Sequence, residues 1–154
     1  VVAFFYGTVE NMGAFYQNIE ILVVPSIREP FGTVAIEAQA RGCPVLCSGV
    51  DGLPEVVLDG RTGFVITPSW DIDEYLQYTA EKGNMPDRVF FPHLNGLAPP
   101  LALQPEHIAL KAAQLLKDEK LFSRMSRNAV QFITENFQFE DYIRKINSVF
   151  RDPE

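Results

Sequence analysis

The chain has 154 residues, close to the size of one domain, and a domain of that size buries roughly 70% of the surface its unfolded chain exposes. With 47% hydrophobic and 21% charged residues it has an ordinary globular composition, so disorder and low complexity are excluded as the default reading. A net charge of −7 without a block of like charges argues against nucleic acid as a partner. It does not exclude a small anion, which backbone amides at a helix N-terminus can hold without a basic surface.

In chain order, the apolar run Val1–Tyr6, closed by Gly7-Thr8, predicts a strand buried on both faces. That run is too short to span a membrane and has no basic leader before it. Glu10–Gln17 predicts a short amphipathic helix, and Ile19–Val24 a second strand, stopped by Pro25-Ser26. Pro30-Phe31-Gly32 forms a loop, Thr33 can cap a helix over Val34–Arg41, and Gly42 stands where a helix C′ glycine belongs. Pro44–Cys47 predicts a third strand and Gly49–Gly52 a tight turn. Pro54 can open a helix through Leu58, Asp59–Gly63 reads as a turn, and Phe64–Thr67 as a fourth strand. Strands and helices in short alternation are the sequence form of a parallel α/β sheet with right-handed crossovers.

From Pro68 to Leu103 the pattern predicts irregular chain, with the single tryptophan, Trp70, and a possible helix at Ile72–Lys82. The remainder reads as helical. Pro105–Lys117 has apolar positions at Ile108, Ala112, Leu115 and Leu116; Lys120–Asn136 has Leu121, Met125, Ala129, Phe132 and Ile133; Phe139–Phe150 has Ile143, Ile146 and Phe150. The organisation is therefore one domain over 1–154: a motif-bearing α/β core over 1–67, an irregular insertion over 68–103 and C-terminal helices over 104–154.

Cys43 and Cys47 are four apart in an extended segment, which separates them by about 13 Å at strand rise, too far for a disulfide. No Cys/His cluster accompanies them, so they read as buried thiols in a reducing, cytoplasmic setting, with no metal ligand set.

The segment from Pro25 to Val45 carries the chemistry. Glu29 lies in a loop and Glu37 in the first turns of the next helix, with the amides of Phe31, Gly32, Thr33 and Val34 between them. Free amides and the helix dipole attract phosphate, and the two carboxylates offer acceptors to sugar hydroxyls on either side. That fits a diphosphate between two sugars, and Gly32 allows the backbone a close approach to the ligand.

This stretch resembles the Glu, seven residues, Glu motif of the family-4 retaining glycosyltransferases. The resemblance runs from Val1 to about Pro68: Val24-Pro25-Ser26, Glu29-Pro30-Phe31-Gly32, Glu37-Ala38, Gly42-Cys43-Pro44-Val45, Gly52-Leu53-Pro54-Glu55 and Gly60-Arg61-Thr62-Gly63-Phe64 follow in the family's order. It implies a GT-B fold, in which this chain is a partial Rossmann-like parallel sheet from the C-terminal, donor-binding domain. By that likeness Glu37 takes the donor ribose, amides near Gly32, Thr33 and Val34 take the phosphate, and Glu29 meets the transferred sugar. Glu29 is then the candidate catalytic residue, positioning the donor rather than attacking it if transfer follows a front-face route, which needs no enzyme nucleophile. The implied substrate is a UDP- or GDP-sugar, with no further cofactor and no metal. The implied partner is an acceptor-binding N-terminal domain, and nothing in this segment indicates membrane contact.

The sequence departs from the family pattern in two ways. No Arg or Lys precedes Arg28, so the family's diphosphate-neutralising Arg and Lys are expected outside this chain, together with the first sheet units. Relatives also pass from the Phe64 strand to the Pro105 helix with little between. A non-catalytic nucleotide-sugar-binding or scaffold module, or a GT-B epimerase, is the alternative. Phe31 reads first as a packing residue and second as a stacking platform; Glu55 reads equally as structural or as part of a site. Asp51-Gly52 is first a turn and second a loop facing the donor sugar. His93 and His107 read as an ordinary loop and an ordinary helix histidine.

Overall fold

The computed structural model describes residues 4–79 and 83–151. Its centre is a sheet of three parallel strands, β1 (Leu22–Val24), β2 (Val45–Ser48) and β3 (Gly63–Ile66), in that spatial order. Helix α1 (Met12–Gln17) precedes β1, α2 (Thr33–Ala40) joins β1 to β2, and α3 (Leu53–Val56) joins β2 to β3. All four residues of β2 are buried, as expected of a central parallel strand.

Side-chain alternation along β2 divides the core. Val45 and Cys47 join Ala35, Ala38, Leu53 and Val56 of α2 and α3. Leu46 points the other way, with Phe64 and Ile66, to meet Leu115, Leu121 and Met125. Those last three belong to α5 (Pro105–Lys117) and α6 (Glu119–Asn136). Both helices lie within two residues of the predicted bounds. Asp118 caps α6 through its carboxylate, which accepts from the Leu121 amide at 2.9 Å. Leu116, placed on the apolar face by its spacing, is instead exposed, while its neighbour Leu115 is buried. On the same face of the sheet the Lys111 ammonium lies 4.3 Å from the centre of the Phe64 ring.

Three expectations need correction. The Val1–Tyr6 strand is not formed where it can be seen: residues 1–3 lie outside the described residues, and 4–6 pair with no strand, Phe5 being 98% exposed. A strand needs a hydrogen-bonded neighbour, and none of the described strands flanks it; Tyr6 instead rests edge-on against Phe15, ring centres 5.9 Å apart. The helix predicted at Ile72–Lys82 is one turn, α4 (Ile72–Tyr75), running into a 3₁₀ turn at Leu76–Tyr78; residues 80–82 lie outside the described residues. The stretch predicted irregular carries two small antiparallel ladders. One pairs β4 (Trp70–Asp71) with β7 (Leu101–Ala102), and the other is a hairpin of β5 (Val89–Phe91) and β6 (Gly96–Ala98). Val89 and Phe91 are buried in the α2–α3 core, which is why this hairpin is ordered on the domain.

The last helix, α7 (Phe139–Arg151), leaves Tyr142, Ile143, Val149 and Phe150 exposed.

Candidate functional site

Helix α2 begins one residue earlier than predicted, with Gly32 rather than Thr33 as N-cap. Gly32 has φ +89°, and a Cβ there would lie 2.7 Å from Leu53 Cδ2. The glycine is therefore required by the backbone and by the packing of α3 beneath it, whatever binds above. At the other end Gly42 has φ +76°, donating to the Gln39 carbonyl at 2.9 Å while Cys43 donates to Ala38 at 3.0 Å. That is a Schellman ending, and it turns the chain directly into β2.

Glu29 is partly buried, and its Oε1 accepts from the Gly32 amide at 3.1 Å. One of the four amides assigned to an anion is thus occupied by the loop's own carboxylate. The amides of Thr33 and Val34 have no acceptor among the described residues and remain open at the helix N-terminus. The backbone of Glu29 is held on both sides: its N–H donates to Asp51 Oδ2 at 3.0 Å, and its carbonyl accepts from the Gly52 amide at 3.2 Å. Gly52 is pressed so closely against this loop that a Cβ would lie 2.2 Å from the Pro30 carbonyl oxygen.

Thr33 and Glu37 are one turn apart, and with Val34 they form the exposed face of α2, while Ala35, Ala38 and Gln39 are buried behind it. Glu37 lines a cleft of about 290 Å³ between α1 and α2, together with Met12, Gly13, Tyr16, Ala40 and Arg41. Its Oε2 accepts from the Tyr16 hydroxyl at 3.2 Å. Burial first, and the Glu37 charge second, push the Tyr16 hydroxyl up to about 12, so it stays a proton donor to that carboxylate. Phe31 is 48% exposed and its ring centre lies 6.3 Å from that of Phe137, which puts it on the joint between α6 and α7.

The structure brings Glu29, Gly32, Thr33, Val34 and Glu37 to one end and one face of α2. Glu55 is exposed in the first turn of α3. His93 and His107 are both exposed, and neither hydrogen-bonds a carboxylate among the described residues. Among those residues no group of three or more His, Cys, Asp or Glu could hold a metal ion, and no helix is long and apolar enough to cross a membrane.

Sequence reasoning missed two members of this neighbourhood. Tyr16 falls within the predicted short helix, and only the packing of α1 on α2 gives its hydroxyl a carboxylate. Gln39 sits fully buried in the last turn of α2, donating to the Ala35 and Val56 carbonyls at 3.1 and 2.7 Å, and so ties α2 to α3. A lone polar residue among alanines was the available signal for it.

Comparison with known proteins bears on the same segment. The family profile described as Glycosyl transferases group 1 matches residues 2–82. A D-inositol 3-phosphate glycosyltransferase of Streptomyces avermitilis is 53% identical over 57 residues, 37% of this chain and 12% of that enzyme. That of Streptomyces scabiei is 44% identical over 78 residues, 51% of this chain and 17% of the enzyme. The matches thus span less than a fifth of these relatives. Among solved structures, Anabaena Alr3699/HepE in complex with UDP-glucose superposes with a TM-score of 0.68 at 17% identity, over 93% of this chain and 30% of that one. The C-terminal domain of LpcC, a group 1 family protein from Francisella tularensis, superposes at 0.58 and 21% identity, over 90% of this chain and 53% of that one. The fold is that of the α/β domain of GT-B glycosyltransferases. With the profile covering just over half of its residues, and with Glu29 and Glu37 both inside that match, the chain belongs to the group 1 glycosyltransferase family.

Proposed function

We propose that this chain is the donor-binding part of a retaining glycosyltransferase that moves a sugar from a nucleoside diphosphate sugar to a hydroxyl acceptor. The observation that carries the reading is the pair of open amides, Thr33 and Val34, at a helix start framed by Glu29 and Glu37. Amides and dipole receive the diphosphate, Glu37 accepts from the ribose hydroxyls, and Glu29 accepts from hydroxyls of the transferred sugar. On a front-face route the acceptor oxygen bonds the anomeric carbon as the bond to the diphosphate breaks, and the acceptor proton passes to the departing phosphate oxygen. Glu29 then orients the sugar and forms no covalent bond. No resident cofactor or metal enters this reading. HepE has been solved with UDP and with UDP-glucose, which makes uridine nucleotides the first ligands to try, and GDP-sugars the second. An acceptor-binding domain facing the cleft is the proposed partner, with the exposed apolar face of α7 as its contact. The two free thiols fit a reducing, cytoplasmic compartment.

A second reading has one observation in its favour: Glu29 already accepts from Gly32, as a purely structural cap would. Calorimetric titration with UDP- and GDP-sugars separates the two. Glu37→Ala is expected to lower nucleotide affinity about tenfold or more, the scale of one hydrogen bond to a charged group. Glu29→Gln keeps an oxygen for the Gly32 amide; it is expected to weaken the nucleotide sugar and spare the bare diphosphate. If Glu29→Gln changes neither, Glu29 is a cap. If no UDP- or GDP-sugar binds the full-length protein, which supplies the Arg and Lys expected outside this chain, and the Thr33 and Val34 amide resonances do not move in it, the donor-binding reading is overturned.

A further inference from the structure

Asp51 follows β2 in a turn with φ +43°, a left-handed backbone that aspartate tolerates better than most residues. Its carboxylate reaches two segments distant in sequence. Oδ2 accepts from the Glu29 amide at 3.0 Å, and Oδ1 accepts from the Phe90 amide of β5 at 3.2 Å. The Asp51 amide in turn donates to the Phe90 carbonyl at 2.9 Å, and Gly52 donates to the Glu29 carbonyl at 3.2 Å. The N–H and C=O of Phe90 are thus both gripped by Asp51, and those of Glu29 by Asp51 and Gly52.

The β5–β6 hairpin is fixed to the domain by the same alternation that orients its strands. Val89 and Phe91 are buried in the core, while Phe90 and its cross-strand partner Leu97 are exposed, and the Phe90 peptide shares the Asp51 carboxylate with that of Glu29. This hairpin belongs to the 68–103 stretch, and beside the packing of Val89 and Phe91 the Asp51 hydrogen bonds join it to the motif-bearing segment.

We propose that Asp51 is a positioning residue of the donor site, setting the Glu29 peptide and making the β5–β6 hairpin part of the wall around the transferred sugar. The proposal rests on the donor-binding reading above. An aspartate is needed because each ionised oxygen accepts one N–H, and charge strengthens both bonds. Asparagine keeps the shape and the tolerance of positive φ, but its –NH₂ cannot accept, so one of the two peptide N–H groups loses its acceptor while the backbone bonds remain.

The test titrates the full-length protein, ¹⁵N-labelled, with UDP and then UDP-glucose, and with GDP and GDP-glucose in parallel. The Thr33 and Val34 amides are expected to shift with diphosphate and nucleotide sugar alike, and the Asp51 and Phe90 amides with the nucleotide sugar alone. Asp51→Asn is expected to weaken the nucleotide sugar about tenfold while changing the bare diphosphate by less than about twofold. A merely structural loss would weaken both equally, and that result overturns the proposal. So does a wild-type titration in which Thr33 and Val34 move while Asp51 and Phe90 do not; this readout decides the matter even if Asp51→Asn fails to fold. Shifts nowhere in the full-length protein, with either base, overturn the donor-binding reading and this proposal with it.

Discussion

Helix α2 has small apolar residues on most of its surface and packs against α3, α6, β1 and β2, whereas α7 has a sharply apolar face and leaves its large side chains in solvent. The amphipathic pattern is far stronger in the helix that is less buried. Periodicity states that a face will be covered; it does not state by what, and the neighbours settle whether a helix is held. The candidate site stands at the held end. The N-terminus of α2 is fixed by Leu53 beneath Gly32 and by the Gly52–Glu29 contact, and its other end by Gln39, so its open amides are presented by a rigid support.

Substitutions sharpen this contrast. The largest effect is expected for Gly63→Ala in β3, where a Cβ would lie 2.0 Å from the Val45 carbonyl oxygen of the adjoining strand. Backbone against backbone leaves nothing to rotate away, so the variant is expected to lose cooperative thermal unfolding altogether. A variant melting within a few degrees of wild type would show that β2 and β3 can separate, and the core would be far softer than described here.

Next comes Met125→Ala. Its side chain is fully buried between the sheet and α6, and its removal is expected to cost about 2–5 kcal/mol in urea unfolding. A cost below about 1 kcal/mol would mean that α6 collapses onto the vacated space.

Titration of the core comes third. Burial pushes the Cys43 thiol up to about 11, and burial with the Asp59 charge pushes Cys47 up to about 12; Tyr16 also stands at about 12. Each group keeps its proton in the fold after the unfolded chain would have lost it. Their stabilisation is therefore complete below pH 9.0, the ordinary thiol value, and is lost as pH rises from there to about 12. Chemical denaturation at stepped pH is expected to show that decline, and both thiols are expected to resist alkylation at neutral pH until the chain unfolds.

The smallest effect is expected in α7. Tyr142→Ser and Phe150→Ser remove side chains that are largely in solvent, Phe150 being 80% exposed, and should change stability by less than about 0.5 kcal/mol. A loss as large as that of Met125→Ala would break the comparison, because it would mean that the α7 face is covered in solution.

Legibility in the sequence follows the same division. The strands at Leu22, Val45 and Gly63 and the helices α2, α3, α5 and α6 were readable from local pattern, helped by punctuation such as Pro25 after β1, Gly42 after α2 and Pro54 at the start of α3. Glu29, Gly32, Thr33, Val34 and Glu37 were readable as a group because they fall within one loop-to-helix segment. Residues joined across long separations were not. Asp51 read as a turn residue, and its grip on Phe90 depends on a hairpin whose short strands and many prolines and glycines give no clear period. Residues 4–6 of the apolar run form no strand for the opposite reason: their local pattern is that of a strand, but pairing is a property of neighbours.

The sheet order β1-β2-β3, in which neighbours in space are also neighbours in sequence, has a consequence for how the chain comes to be folded. Each strand can add to the last as soon as its own crossover helix exists, without waiting for a distant partner, so assembly can keep pace with synthesis. One face of that growing sheet, with Leu46, Phe64 and Ile66, is closed only when Leu115, Leu121 and Met125 arrive. Until then the nascent domain carries an uncovered apolar surface, and that interval is when a chaperone would have most to do.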